Sequence, residues 1–137
     1  MTISGVKTKR TPLEVSRSIL KAAFKVHSHF GPGLLESVYA SCLAQELRDM
    51  GFRVETEVPV PVYFNQVKLE VGYRIDLLVD DSVLVEVKSV EAIAPVHSAQ
   101  TLTYLKLANL KLGLLINFNV LHLKSGIKRF VIGTDWR

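Results

Sequence analysis

The apolar positions of this chain change period along its length, and each change marks a different element. Behind Thr11-Pro12, with its proline at an early helical position, Val15, Ile19, Leu20, Ala23 and Val26 recur at helical spacing. They predict a first helix that breaks over His27 to Gly33, where Gly31-Pro32-Gly33 makes a turn. A second helix is predicted from about Leu34 to Met50, closed by Gly51. Two extended runs follow, Arg53 to Phe64 and Val67 to Val71, around a turn at Asn65-Gln66. The pattern then alternates strictly from Tyr73 to Ser89. A later helix is predicted from Pro95 to Leu110, and strands near Leu112 to Phe118 and Lys128 to Ile132. Helices, a strand block, a crossover helix and further strands predict an α/β fold with a mixed central sheet flanked by helices. Residues 1–10 are polar, basic and aperiodic and read as a flexible arm, leaving residues 11–137 as one domain.

The chemistry sits in the alternating run. Ile75, Leu77 and Val79 share one face of a strand, and Val83, Val85 and Val87 share one face of the next. The opposite face carries Arg74, Asp76 and Leu78, then Leu84, Glu86 and Lys88. With Asp80, Asp81 and Ser82 as the loop, Val79 pairs with Val83 and Asp76 falls opposite Glu86. Carboxylates whose Cβ atoms are about 5 Å apart repel each other unless something positive lies between them. A divalent cation, magnesium or manganese, fits that gap and keeps coordination positions for waters and phosphate oxygens. Lys88 follows Glu86 on the same face, where it can hold an attacking water and offset developing charge. A solvated amphipathic hairpin would also carry these charges on one face. The Val, Leu and Ile on both sides of them instead resemble a strand covered on both faces, which places the charges along a cleft.

Composition narrows the function classes. With 48% hydrophobic and 22% charged residues, the 137-residue chain suits a folded domain and not a disordered one. Its apolar runs fall well short of the about 20 residues that cross a bilayer, and no apolar signal core opens the chain, so a cytoplasmic location without a membrane partner is expected. Cys42 is the single cysteine, which excludes an intrachain disulfide; it reads as a small buried hydrophobe. The formal net charge of +4 favours an anionic partner. Arg17, Lys21 and Lys25, and again Lys124, Lys128 and Arg129, form stripes that are either solvated faces or phosphate contacts.

Two helices carry further candidates. Leu43, Leu47 and Met50 lie within about 40° of Glu36 on a helical wheel, which places its carboxylate on the core-facing stripe. The alternative is a first-turn acid that serves only the helix dipole and free N–H groups. On the later helix His97, Gln100 and Tyr104 form one polar stripe, while Ala99, Leu102 and Leu105 turn toward the sheet. His97 is either a phosphate-binding group or a satisfied structural histidine.

Asp76 followed by Glu86-Val87-Lys88 resembles the PD-(D/E)xK nuclease superfamily, and Gly33-Leu-Leu-Glu36-Ser-Val-Tyr39 is similar to the signature of its GxxExxY branch. The likeness runs from about Leu13 to Ile132 and takes in Tyr73-Arg74-Ile75-Asp76, Gln100, Tyr104 and the Leu112-to-Phe118 strand. Ile75 stands where the superfamily name implies proline, a departure that removes no ligand. The resemblance implies a restriction-endonuclease-like core, with Asp76, Glu86 and the Val87 carbonyl as metal ligands and Lys88 positioning water. It brings Glu36 and Gln100 to the metal cleft as supporting catalytic residues, and Tyr104, with His97, toward the substrate phosphate.

Two functions from different classes follow. One is metal-dependent phosphodiester hydrolysis in nucleic acid. The other is a catalytically silent relative acting as a nucleic-acid-binding or scaffold module. Glycoside hydrolysis by two carboxylates fits worse, because it needs neither a metal nor a lysine beside the second acid. The expected partner is nucleic acid, DNA before RNA, read by backbone or structure because no base-reading motif is present; a homodimer stays open.

Overall fold

A computed structural model describes residues 9–137, so residues 1–8 of the expected arm lie outside the described residues. Arg10 belongs to the fold: its guanidinium pairs with Asp80 at 2.9 Å and lies over the Phe52 ring at 4.1 Å. The elements are α1 (Pro12–Phe30), α2 (Glu36–Asp49), β1 (Val54–Pro59), β2 (Val62–Phe64), β3 (Val67–Leu69), β4 (Arg74–Val79), β5 (Val83–Lys88), α3 (Pro95–Ala108), β6 (Leu112–Asn117) and β7 (Ile127–Val131). Thr11 starts α1 with a reciprocal cap, accepting from the Glu14 N–H at 3.2 Å while Glu14 accepts from the Thr11 N–H at 3.1 Å. The helix continues through the expected break at His27 and stops at Gly31, where φ is 67°. His27 is held in place because it is buried with Nε2 at 2.8 Å from the Val120 carbonyl.

Five strands form one sheet in the order β1-β4-β5-β6-β7, with β5 and β6 parallel and the other neighbours antiparallel. Strands β2 and β3 form a separate hairpin. Helices α1 and α2 cover one face, packing Val15, Ile19, Leu43 and Leu47 in one core with Leu77, Val85, Val87 and Ile116. On the other face Tyr104 and Leu105 of α3 pack with Val60, Ile75 and Leu84. This is the mixed α/β sheet between helices that the hydrophobic pattern predicts.

Strict alternation fails at one place. Ile75 lies in the α3 core, not with Leu77 and Val79 as parity predicts. The β1–β4 ladder passes from Thr56↔Leu77 to Val58↔Ile75, leaving Glu57 and Asp76 unpaired, and Glu57 has φ 53°. A left-handed residue in one strand bends the pair locally, so facing does not carry through the interruption.

Strand β6 is backed by a 3-10 turn, Leu123–Gly126. A Cβ added to Gly126 would collide with the Asn117 carbonyl oxygen, a backbone atom that cannot swing aside. Gly126→Ala is therefore expected to cost about 1–3 kcal/mol, read as a lower denaturant midpoint at unchanged slope.

Candidate active site

Strands β4 and β5 pair from Val79↔Val83 through Leu77↔Val85, and there the ladder ends. The register, continued, sets Asp76 opposite Glu86, but the Val87 N–H donates to Asp76 Oδ2 at 2.8 Å instead of to the β4 backbone. A strand residue's N–H and C=O point to the same edge, so the Val87 carbonyl faces the same opening. On its other edge β5 stays parallel to β6 as far as Lys88↔Asn117, and the Phe118 N–H donates to the Lys88 carbonyl at 2.9 Å. The sheet is thus sealed on one side of Glu86-Val87-Lys88 and split on the other.

Glu86 is only 6% exposed, and its Oε1 has no hydrogen-bond partner among the described residues. Burial, then the neighbouring Asp76 charge and their shared hydrogen bond, push its pKa up from 4.5 to about 9, while the Lys88 ammonium pulls the other way. Without a cation, this environment favours the protonated form of Glu86. A buried carboxyl with an unpartnered oxygen, beside a second carboxylate and the Val87 carbonyl at the same opening, is an all-oxygen donor set suited to a hard divalent cation.

Tyr104 closes the cleft from α3. Burial and the charges of Glu86 and Asp76 raise its pKa, and its hydroxyl accepts from Gln100 Nε2 at 3.2 Å. The Tyr73 ring lies 5.8 Å from that of Tyr104. Gln100 itself is exposed and meets the site through Tyr104. The polar stripe expected on this helix is rotated: Thr101, Tyr104 and Leu105 face inward and Ala99 is exposed. A tyrosine ring supplies apolar contact while its hydroxyl keeps a partner, so it replaces alanine at the sheet.

Glu36 also departs from expectation. It is exposed instead of core-facing, because it is the first residue of α2 and lies beyond the packed part of the helix. Its Oε2 accepts from the Ser89 N–H at 3.1 Å, and Ser89 Oγ donates to the Leu34 carbonyl at 2.6 Å. Tyr39 fastens the same turn, donating to the Gly31 carbonyl at 2.5 Å, accepting from the Leu34 N–H at 3.2 Å and stacking on Phe118 at 4.6 Å. The Gly33-to-Tyr39 segment is thereby tied to the residue immediately after Lys88.

A family model described as the PD-(D/E)XK nuclease superfamily matches residues 13–130, nearly the whole folded region. The chain belongs to the PD-(D/E)XK nuclease superfamily. Nucleases of this superfamily generally use divalent metals and act on nucleic acid, which supports a nuclease-type function here, and the sheet between helices is its restriction-endonuclease-like core. The solved structure of SSO0001 aligns with 96% of this chain and 71% of its own at 19% identity and a TM-score of 0.43. No curated protein matches the sequence.

In this PD-(D/E)XK protein the structure thus gathers Asp76, Glu86, Val87, Lys88 and Tyr104, with Gln100 joined through Tyr104 and Glu36 through Ser89. His97 stands in the first turn of α3, where its Nδ1 accepts from the Ala94 N–H at 3.0 Å and so satisfies a donor that a helix start leaves free. Asn117 is a bracing residue that sequence reasoning passed over. Buried at the end of β6, it accepts from the Val90 N–H at 3.1 Å and donates to the Val90 carbonyl at 2.9 Å, fixing the loop behind Lys88. The signal was a lone polar side chain closing the apolar run Leu112–Asn117.

Proposed function

We propose that the protein is a metal-dependent nuclease of the GxxExxY branch that hydrolyses phosphodiester bonds, with DNA ahead of RNA as substrate and a cytoplasmic place of action. The observation that carries this reading is the buried Glu86, its Oε1 unpartnered, facing Asp76 across the split in the sheet. Asp76, Glu86 and the Val87 carbonyl would hold magnesium or manganese, which supplies positive charge against the phosphate and makes bound water more acidic. Lys88 orients the attacking water and meets the negative charge that grows on the phosphate oxygens. Glu36 fixes Ser89 and with it the end of β5 that carries Lys88. Tyr104, held by Gln100, turns its hydroxyl toward a phosphate oxygen. His97, its Nδ1 committed to Ala94, has Nε2 left for the same role. Among the described residues no helix is long and apolar enough to cross a membrane.

The test is a panel of end-labelled single-stranded, duplex and branched DNA, with RNA counterparts, incubated with magnesium or manganese or with chelator. Metal-dependent cleavage of at least one substrate is expected. Binding of nucleic acid without cleavage of any substrate would turn the reading to a silent binding or scaffold module.

A further inference from the structure

The β2–β3 hairpin is left unused by this chemistry. Its register pairs Val62 with Leu69 and Phe64 with Val67, which puts these four apolar side chains on one face, while Tyr63 and Lys68 oppose each other on the reverse face. The turn residues Asn65 and Gln66 have φ 51° and 66°, the left-handed geometry of a tight two-residue hairpin. At the base, the Val60 N–H donates to the Tyr73 carbonyl at 2.8 Å and Val60 is buried in the α3 core. The hairpin is therefore rooted in the fold while its apolar face stays in solvent, with Phe64 66% and Val67 56% exposed. A two-stranded ribbon is marginal in water until a further layer covers its apolar face.

We propose that a second copy of this chain covers that face, the two hairpins packing against each other across a two-fold axis. Charge selects this occupant. Lys68 and Glu70 are the two charged residues between Val60 and Tyr73, and they pair with each other at 3.6 Å, so the hairpin is neutral. A nucleic-acid surface needs cations that match phosphates, and this face presents none. Two copies of a chain with net charge +4 repel each other where charge is exposed, and a neutral apolar ribbon is where that repulsion is weakest. A two-fold axis lets one patch complement itself, with Phe64, beside the turn, as its aromatic anchor.

Sedimentation equilibrium of the full chain tests this without reference to cleavage. The wild type is expected to form dimers at micromolar concentration. Phe64→Glu is expected to weaken association by about 30-fold or more, and Tyr63→Glu on the reverse face to leave it intact, with circular dichroism checking that each variant is folded. A monomeric wild type, a Phe64→Glu variant as dimeric as the wild type, or equal dissociation by both variants would overturn the proposal. A monomeric wild type whose nucleic-acid affinity falls on Phe64→Glu would assign the hairpin to substrate instead.

Discussion

Lys88→Ala is expected to cut the cleavage rate by about 10²- to 10³-fold while metal binding and nucleic-acid affinity persist, the size of loss that follows removal of one donor aimed at developing charge. Asp76→Ala should lose metal binding as well as cleavage. The difference follows from position. Asp76 lies in the split between β4 and β5, against Glu86 and the Val87 N–H, whereas Lys88 ends β5 with its backbone fixed by Phe118. Removing the lysine side chain leaves that backbone pairing in place, so the acid pair keeps its geometry. Initial rates on the best substrate, with calorimetric metal titration of each variant, separate the two roles. A Lys88→Ala variant as active as the wild type would remove the lysine from the chemistry.

The second large effect concerns pH and metal together. Glu86 titrates near 9 in the folded chain against 4.5 ordinarily, so between these values the folded state binds a proton that the unfolded chain has released. The stabilising contribution of the protonated carboxyl is fully present below about pH 4.5 and is lost as pH rises toward about pH 9. Metal-free protein should accordingly become easier to denature with urea across that window. Glu86→Gln keeps the shape of the protonated acid without titrating, and its stability should change less with pH. A divalent cation has to displace the proton, so binding at neutral pH should release close to one proton, tighten as pH rises and raise the melting temperature. Calorimetry in two buffers of different ionisation enthalpy measures the proton release. Parallel pH profiles for wild type and Glu86→Gln, together with no proton release, would exclude this account of the pair.

The opposition of Asp76 and Glu86 was legible because one short-range rule suffices for it: the three-residue loop Asp80-Asp81-Ser82 sets the Val79↔Val83 register, and that register, continued, reaches them. The helix starts at Thr11 and Pro95 and the turn at Asn65-Gln66 rest on equally local chemistry. What escaped was decided at a distance. His27 keeps α1 going through its contact with Val120, 93 residues away, which a scan for breakers cannot see. Ile75 joins the α3 core where the neighbouring strand passes through Glu57, whose left-handed conformation no glycine announces. The wheel placed Glu36 inward on the assumption that α2 packs along its whole length, yet the buried residue of that motif is Tyr39. Helical spacing turns Ala99 toward the sheet with Leu102 and Leu105, yet Ala99 is exposed and Tyr104, which offers more contact area, is buried beside Leu105.

The carboxylate that receives the Val87 amide hydrogen also makes that amide a spectroscopic reporter. Most strand amides shift with the conformation of a neighbouring backbone, but this one answers to the charge on a single side chain. In a nitrogen-15 correlation spectrum its resonance should move when the acid pair changes protonation or takes up an ion, while the amide of Phe118, bonded to the Lys88 carbonyl on the sealed edge, holds still as an internal reference.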